Sequence, residues 1–181
     1  MANFSITNST AMGAGNVQQS ISTTYKSMVI CGNSSATSAN VGAGAFRRGK
    51  LYDLLVGTNA TPADNYLEFD VELVTLATTP TGIVSTLISS LSSTYALDPA
   101  DVAFVAAMSI NSTGEVGVTA VTERWYVGIN QRASYRWVAA PGSEILYPAN
   151  SSATGSNGLS VRARSGAYTN TATVTTLFQE Q

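Results

Sequence analysis

The chain has 181 residues, of which 44% are hydrophobic and 11% charged, with a formal net charge of −2. Its length suits one domain with a sizeable core, and its charged fraction is less than half of that usual for a soluble globular protein. It has no histidine and a single cysteine, Cys31, so the side chains that usually carry acid–base, nucleophilic or metal chemistry are scarce. The composition argues against an enzyme and favours a structural or interaction protein, which buries part of its weakly charged surface against copies of itself.

Residues 1–20 are mostly small and polar and include no charged side chain. We predict an extended N-terminal arm over 1–20, which Phe4 and Ile6 would anchor on another surface; a frayed terminus is the alternative. Because this arm is not basic and the pI is about 5.0, no nucleic-acid partner is expected. No run approaches the ~18 apolar residues of a membrane helix, so no membrane partner is expected either.

Alternation and β-branched content predict three strands in the next part of the chain, at Ile21–Cys31, Lys50–Val56 and Tyr66–Leu76. The third has the clearest pattern, because apolar and acidic residues alternate along it with the two-residue period of a strand. The acidic residues are Glu68, Asp70 and Glu72. Side chains two residues apart on a strand lie ~7 Å from each other, so they do not converge on one cation. We expect a solvated strand face.

In the second half of the chain, the first segments do not predict one type of secondary structure, whereas the later segments predict strands. Apolar residues recur at helical spacing over 81–95, which suits either a short helix or an ordered loop, and 100–107 suits either a helical turn or the start of a strand. Later segments with strand character are 116–125, 131–138, 144–147, 159–164 and 171–178. Turns are expected at 111–114 and at Pro141-Gly142.

Eight or so short strands joined by polar turns predict an all-β fold. The spacing is typical of an antiparallel, jelly-roll-like β-sandwich over residues 21–181, preceded by the arm.

Arginine and aromatic residues gather in the C-terminal half of the sequence. They are Arg124, Trp125, Tyr126, Arg132, Tyr135, Arg136, Trp137, Arg162 and Arg164. Such a set suits a protein interface, a sugar platform or stacking on single-stranded nucleic acid. We favour an interface, because the chain is acidic overall. The candidate contact residues are Trp125, Arg132, Tyr135, Arg136 and Trp137, besides Phe4 and Ile6.

An enzymatic role has little support in the sequence. Carboxylate pairs such as Asp98/Asp101 and Glu68/Asp70 are present, but two acidic residues are common in any domain and nothing indicates a cleft around them. We expect no catalytic residue, no metal and no cofactor.

Three segments carry a resemblance to a known class of proteins. RGKLYDLLVGTNATPADNYLEFDVEL at 48–73, NQRASYRWVAAPGSEILYPAN at 130–150 and GLSVRARSGAYTNTATVTTLFQE at 158–180 resemble capsid decoration (cement) proteins of tailed bacteriophages, including those of cyanobacterial phages. The similarity is one of pattern, and 76–128 add little to it.

The resemblance implies a jelly-roll-like β domain, a homotrimer and binding to the phage major capsid protein on the outer surface of the virion, after synthesis in the host cytoplasm. It implies that the protein stabilises contacts between major capsid subunits. Two alternatives stay open at this point. One is a glycan- or receptor-binding module of a head fibre or tail, and the other is a capsid shell protein.

Overall fold

The computed structural model describes residues 2–8, 19–31, 48–58, 64–76, 84–85, 94–97, 108–110, 118–147, 156–166 and 169–180. These residues form strands joined by turns, and they include no helix that could cross a membrane. The strands are β1 (Ala2–Thr7), β2 (Gln19–Ile21), β3 (Lys26–Cys31), β4 (Gly49–Thr58), β5 (Tyr66–Leu76), β6 (Val84–Ser85), β7 (Thr94–Ala96), β8 (Met108–Ile110), β9 (Val118–Asn130), β10 (Tyr135–Val138), β11 (Ile145–Tyr147), β12 (Ser156–Ser165) and β13 (Asn170–Glu180).

The strands form two antiparallel sheets. The seven-stranded sheet has the order β10-β4-β13-β1-β7, with β11 added on β4 and β2 on β13; the six-stranded sheet has the order β6-β8-β3-β12-β5-β9. Apolar side chains from both sheets form one buried cluster between them. The predicted all-β antiparallel sandwich is therefore confirmed.

The core is built from alternate residues of each long strand. On β5, whose predicted bounds are confirmed, Leu67, Phe69 and Val71 are fully buried in the core. On β12, Leu159 and Val161 do the same. The intervening residues of both strands point to the outer face of the six-stranded sheet, because side chains alternate along a strand.

The N-terminal residues are part of the sandwich rather than an arm. Residues 2–7 form β1, which pairs with β13 on one side and β7 on the other. Phe4 is 2% exposed and Ile6 is 0% exposed, and both belong to the core cluster. The prediction that these two residues anchor an arm on another surface is therefore wrong. Their alternation with polar residues is the pattern of a strand with one buried face.

Asn8, at the end of β1, is fully buried and joined to β13 by its side-chain amide. Its Oδ1 accepts a hydrogen bond from the backbone N–H of Val174 (2.8 Å), and its Nδ2 donates one to the carbonyl of Ala172 (3.1 Å). The side chain thus continues the β1–β13 pairing for one more residue.

Replacing Asn8 by alanine should lower the free energy of unfolding by roughly 1–3 kcal/mol, because a buried N–H and a buried C=O lose their partners. Urea unfolding is the measurement, and the exposed Thr23→Ala serves as the control. An unchanged midpoint for Asn8→Ala would contradict this role.

Gly49, the first residue of β4, leaves room for a buried aromatic ring. It lies opposite Tyr147 of β11, whose side chain is 0% exposed and packs edge-on against Phe178 at 6.1 Å. A Cβ atom at Gly49 would lie 2.0 Å from Cζ of Tyr147. Glycine is required here because the ring crosses the strand directly over its backbone.

We expect Gly49→Ala to destabilise the fold by roughly 1–3 kcal/mol through overpacking. Gly57→Ala on the same strand is the matched control, since its Cβ would meet its nearest neighbour, the Cβ of Ser134, at an ordinary 3.7 Å. Thermal unfolding of both variants decides the point. Equal melting temperatures would show that the Tyr147 ring can move aside.

Several segments differ from their predictions in extent. The strand predicted at Ile21–Cys31 is divided between β2 and β3, and the ambiguous region 81–95 contributes β6 and part of β7. The turn at Pro141-Gly142 is confirmed: Gly142 has φ of 86°, and the N–H of Ser143 bonds the carbonyl of Ala140 at 2.9 Å. Residues 100–107 and 111–114 lie outside the described residues.

Candidate interaction surface

The connection between β9 and β10 crosses from one sheet to the other. β9 is the last strand of the six-stranded sheet, and β10 lies at an end of the seven-stranded sheet. Gln131, 5% exposed, holds this corner: its N–H bonds the carbonyl of Asn65 (2.8 Å), and its carbonyl accepts from the hydroxyl of Thr58 (2.8 Å). Strands from both sheets are thereby fixed relative to the turn between β9 and β10.

Three aromatic residues fill the side of the sandwich beside this connection. Trp125 of β9 lies 5.9 Å from Tyr135 and 6.1 Å from Trp137, both on β10, measured between ring centroids. Both tryptophans are half-buried against the core, whereas Tyr135 is 40% exposed. We call Trp125, Tyr135 and Trp137 the aromatic edge. The structure thus brings together three of the predicted contact residues.

The two arginines predicted beside these aromatic residues take a different position. Arg136 points to the opposite face of β10, where its Nε donates to Oδ1 of Asp53 on β4 at 3.0 Å. Arg132, in the turn, pairs with Asp64 at 3.0 Å, and both side chains are mostly exposed. Each cation therefore has its own carboxylate, which leaves the surface near neutral and unsuited to a polyanion.

Further apolar side chains are exposed on the outer faces of both sheets. Val138 is 57% exposed and Leu55 43% exposed on the seven-stranded sheet, while Val121 (47%) and Tyr126 (44%) lie on β9. Val138 and Leu55 share the face that carries Arg136, opposite to Tyr135 and Trp137, so they lie apart from the aromatic edge.

A second cluster, on the outer face of the six-stranded sheet, is ionic and largely buried. β5 lies between β12 and β9, so its carboxylates at Glu68, Asp70 and Glu72 face the arginines of β12. Arg162 donates to Glu72, and Arg164 donates to Glu68. Asp70 is 2% exposed and Glu72 is 6% exposed. The expectation of a solvated strand face is therefore wrong for these two residues.

Tyr25 covers this ionic cluster. The guanidinium carbons of Arg162 and Arg164 each lie 4.5 Å from the centre of its ring, a cation–π distance. Its hydroxyl donates to Oε2 of Glu68 at 3.0 Å. Burial and the neighbouring carboxylates of Asp70 and Glu68 raise the pKa of Tyr25, so the phenol stays neutral.

Asp70 occupies the least compensated position in the cluster. Its Oδ1 is buried and has no hydrogen-bond partner. Burial raises the pKa of Asp70 to about 6; the carboxylate of Glu72 adds to that rise and the guanidinium of Arg162 opposes it. Three carboxylates here face two guanidinium groups, so the charge is balanced when Asp70 takes up a proton below about pH 6.

Sequence reasoning missed this cluster because it grouped Arg162 and Arg164 with the aromatic residues. The usable signal was the alternation of two arginines on one strand and of three acidic residues on another, which match across an antiparallel pair. No group of three or more acidic, cysteine or histidine residues in the described ranges is arranged to hold a metal ion.

No protein-family model, curated protein or solved structure matches this chain.

Proposed function

We propose that this protein is a structural component of a phage virion, a decoration protein that binds the outer surface of the head and stabilises contacts between major capsid subunits. The observation that carries the proposal is the aromatic edge itself, in which the ring of Tyr135 is 40% exposed beside two half-buried tryptophans. The resemblance of 48–73, 130–150 and 158–180 to decoration proteins supplies the identity of the partner.

The geometry suits binding to another protein. Aromatic side chains in partly buried positions lose little conformational entropy on binding and contribute strongly to interfaces. The nearby charges of Arg132 and Arg136 are already neutralised by Asp64 and Asp53. A partner therefore meets a neutral, rigid surface, and affinity depends on shape and apolar contact.

We further propose a homotrimer, as the resemblance implies. A closed trimer presents three copies of the surface at once, so modest contacts add up through avidity. Light scattering after size exclusion tests this: a species near three times the 18.8 kDa chain mass, or near a whole multiple of that trimer mass, supports the trimer, and a stable monomer or dimer contradicts it.

The decoration role is tested by co-sedimentation with expanded heads of tailed phages assembled without a decoration protein. Tyr135→Ala and Trp137→Ala should each weaken binding by at least about tenfold, and the exposed Ser143→Ala should not. Circular dichroism melting controls for folding. Failure of the wild-type chain to sediment with any such heads would count against the proposal.

A glycan-binding module is the second candidate, because the exposed ring of Tyr135 beside two tryptophans also suits a sugar platform. Saturable binding to host polysaccharide, lost in Tyr135→Ala, would favour it over the decoration role.

A further inference from the structure

β9 presents an edge that other strands of the described part do not cover. It ends the six-stranded sheet and pairs there with β5. Across Val118–Asn130 its sequence contains neither lysine nor proline, and its charged residues are one acidic and one basic, Glu123 and Arg124. These two charges can pair with those of a second copy instead of repelling it. The strand has 13 residues, which is long for an edge.

The N-terminal half of β9 is exposed on both faces of the sheet. Residues 120–124 and Tyr126 are all exposed. Val121 and Tyr126, with 47% and 44% of their surface accessible, are large enough to make strong cross-strand contacts. A long, exposed edge of this kind can accept a further strand.

A one-residue bulge at Arg124 sets the direction of the side chains along this edge. The register between β5 and β9 shifts there, so that Glu123 opposes Glu72 whereas Trp125 opposes Val71. Beyond the bulge, the alternation of inward and outward side chains is displaced by one residue.

Because of this displacement, Val121 before the bulge and Tyr126 after it lie on the same face of the sheet. Val121 and Tyr126 oppose Val74 and Asp70, both on the outer face of β5, and directly opposed residues share a face. In a regular strand, two residues separated by an odd number would face opposite ways.

The inward-facing residues follow the same rule. Thr122 and Trp125 oppose Leu73 and Val71, which lie on the core side of β5. On both sides of Glu123 and Arg124, side chains at equal distances from the centre therefore face the same way: Thr122 and Trp125 face inward, and Val121 and Tyr126 face outward.

We propose that two copies of this chain pair antiparallel through their β9 edges, about a two-fold axis between Glu123 and Arg124. In this arrangement the carboxylate of Glu123 lies beside Arg124 of the second copy. Val121 lies opposite Tyr126 of the second copy, and Thr122 opposite Trp125. Aromatic–β-branched and opposite-charge pairs are favourable across strands.

This contact is independent of the proposed trimer. A two-fold contact between identical edges cannot close a ring of three, so in a trimeric protein it links one trimer to another. In a monomeric protein the pairing gives a dimer. A trimer carries three such edges, so there the pairing gives two joined trimers or a larger assembly.

A charge exchange tests the pairing by sedimentation equilibrium. Glu123→Arg places like charges together and should weaken the association between β9 edges by at least about tenfold, whereas Glu123→Arg with Arg124→Glu should restore it. Arg48→Glu, at an exposed residue just before β4 and off the β9 edge, is the control. Equal association by all variants, or no association of the wild-type chain, overturns the proposal; a trimer that persists in Glu123→Arg shows that the two contacts are separate.

Disulfide trapping tests the register directly. On a Cys31→Ser background, Val121→Cys with Tyr126→Cys should cross-link copies in oxidised glutathione. Each single cysteine should not, since 121 of one copy then lies ~16 Å along the strand from 121 of the other. Efficient cross-linking by a single variant, or none by the double variant, would rule out this register.

Discussion

Arg162→Met is expected to lower the free energy of unfolding by about 3–5 kcal/mol at pH 7, because removing one partner of a buried ion pair leaves uncompensated charge. Arg162 donates to Glu72, and its side chain and that of Glu72 are 10% and 8% exposed. It also lies opposite Asp70 in the register of β12 and β5. Methionine keeps most of the side-chain volume, so the loss reports charge rather than packing.

The double variant Arg162→Met/Glu72→Leu separates this effect from a cavity. It removes both ions of the pair and should recover most of the lost stability, since a buried pair replaced by apolar residues is often nearly neutral. Urea unfolding followed by tryptophan fluorescence measures all three proteins. A single variant within about 1 kcal/mol of wild type would mean that water reaches Glu72.

Asp70→Asn is expected to stabilise the protein at neutral pH and to leave it unchanged near pH 4. The pKa of Asp70 rises from 3.8 to about 6 on folding, so the folded state holds its proton more tightly than the unfolded state. Stability from this group is fully present below the unfolded value and is lost as pH rises through about 6. The two-unit difference corresponds to about 3 kcal/mol.

The measurement is the difference in unfolding free energy between Asp70→Asn and wild type at several pH values from 4 to 8. The stability of Asp70→Asn relative to wild type should increase with pH up to about pH 6–7 and then become constant. Asp64→Asn, whose parent side chain is 78% exposed, should show no such trend. A pH-independent difference would mean that Asp70 is ionised throughout.

The fold was predictable where the pattern of a strand is local. The bounds of β5 follow from strict alternation of apolar and acidic residues. β1 was not recognised, because its partner β13 lies about 170 residues away and no local signal shows that Phe4 meets Phe178. Strand pairing over such distances depends on the whole topology.

The candidate surface was predictable only for residues that are close together in the sequence. Trp125, Tyr135 and Trp137 are close in sequence, and a short turn brings them together. Arg162 and Arg164 belong to β12, and only the strand order places them against β5. Alternation in a sequence shows which residues lie on the same face of a strand. It does not show which other strand lies beside that strand in the sheet.

β13 has a consequence for the order in which the molecule can form during synthesis. It lies between β4 and β1 and also pairs with β2, yet it follows all three along the chain. A ribosome therefore releases β1, β2 and β4 before the strand that joins them exists. Until then β1 can pair only with the three-residue β7 and lacks its long partner, so a nascent chain stalled before residue 170 should remain sensitive to protease.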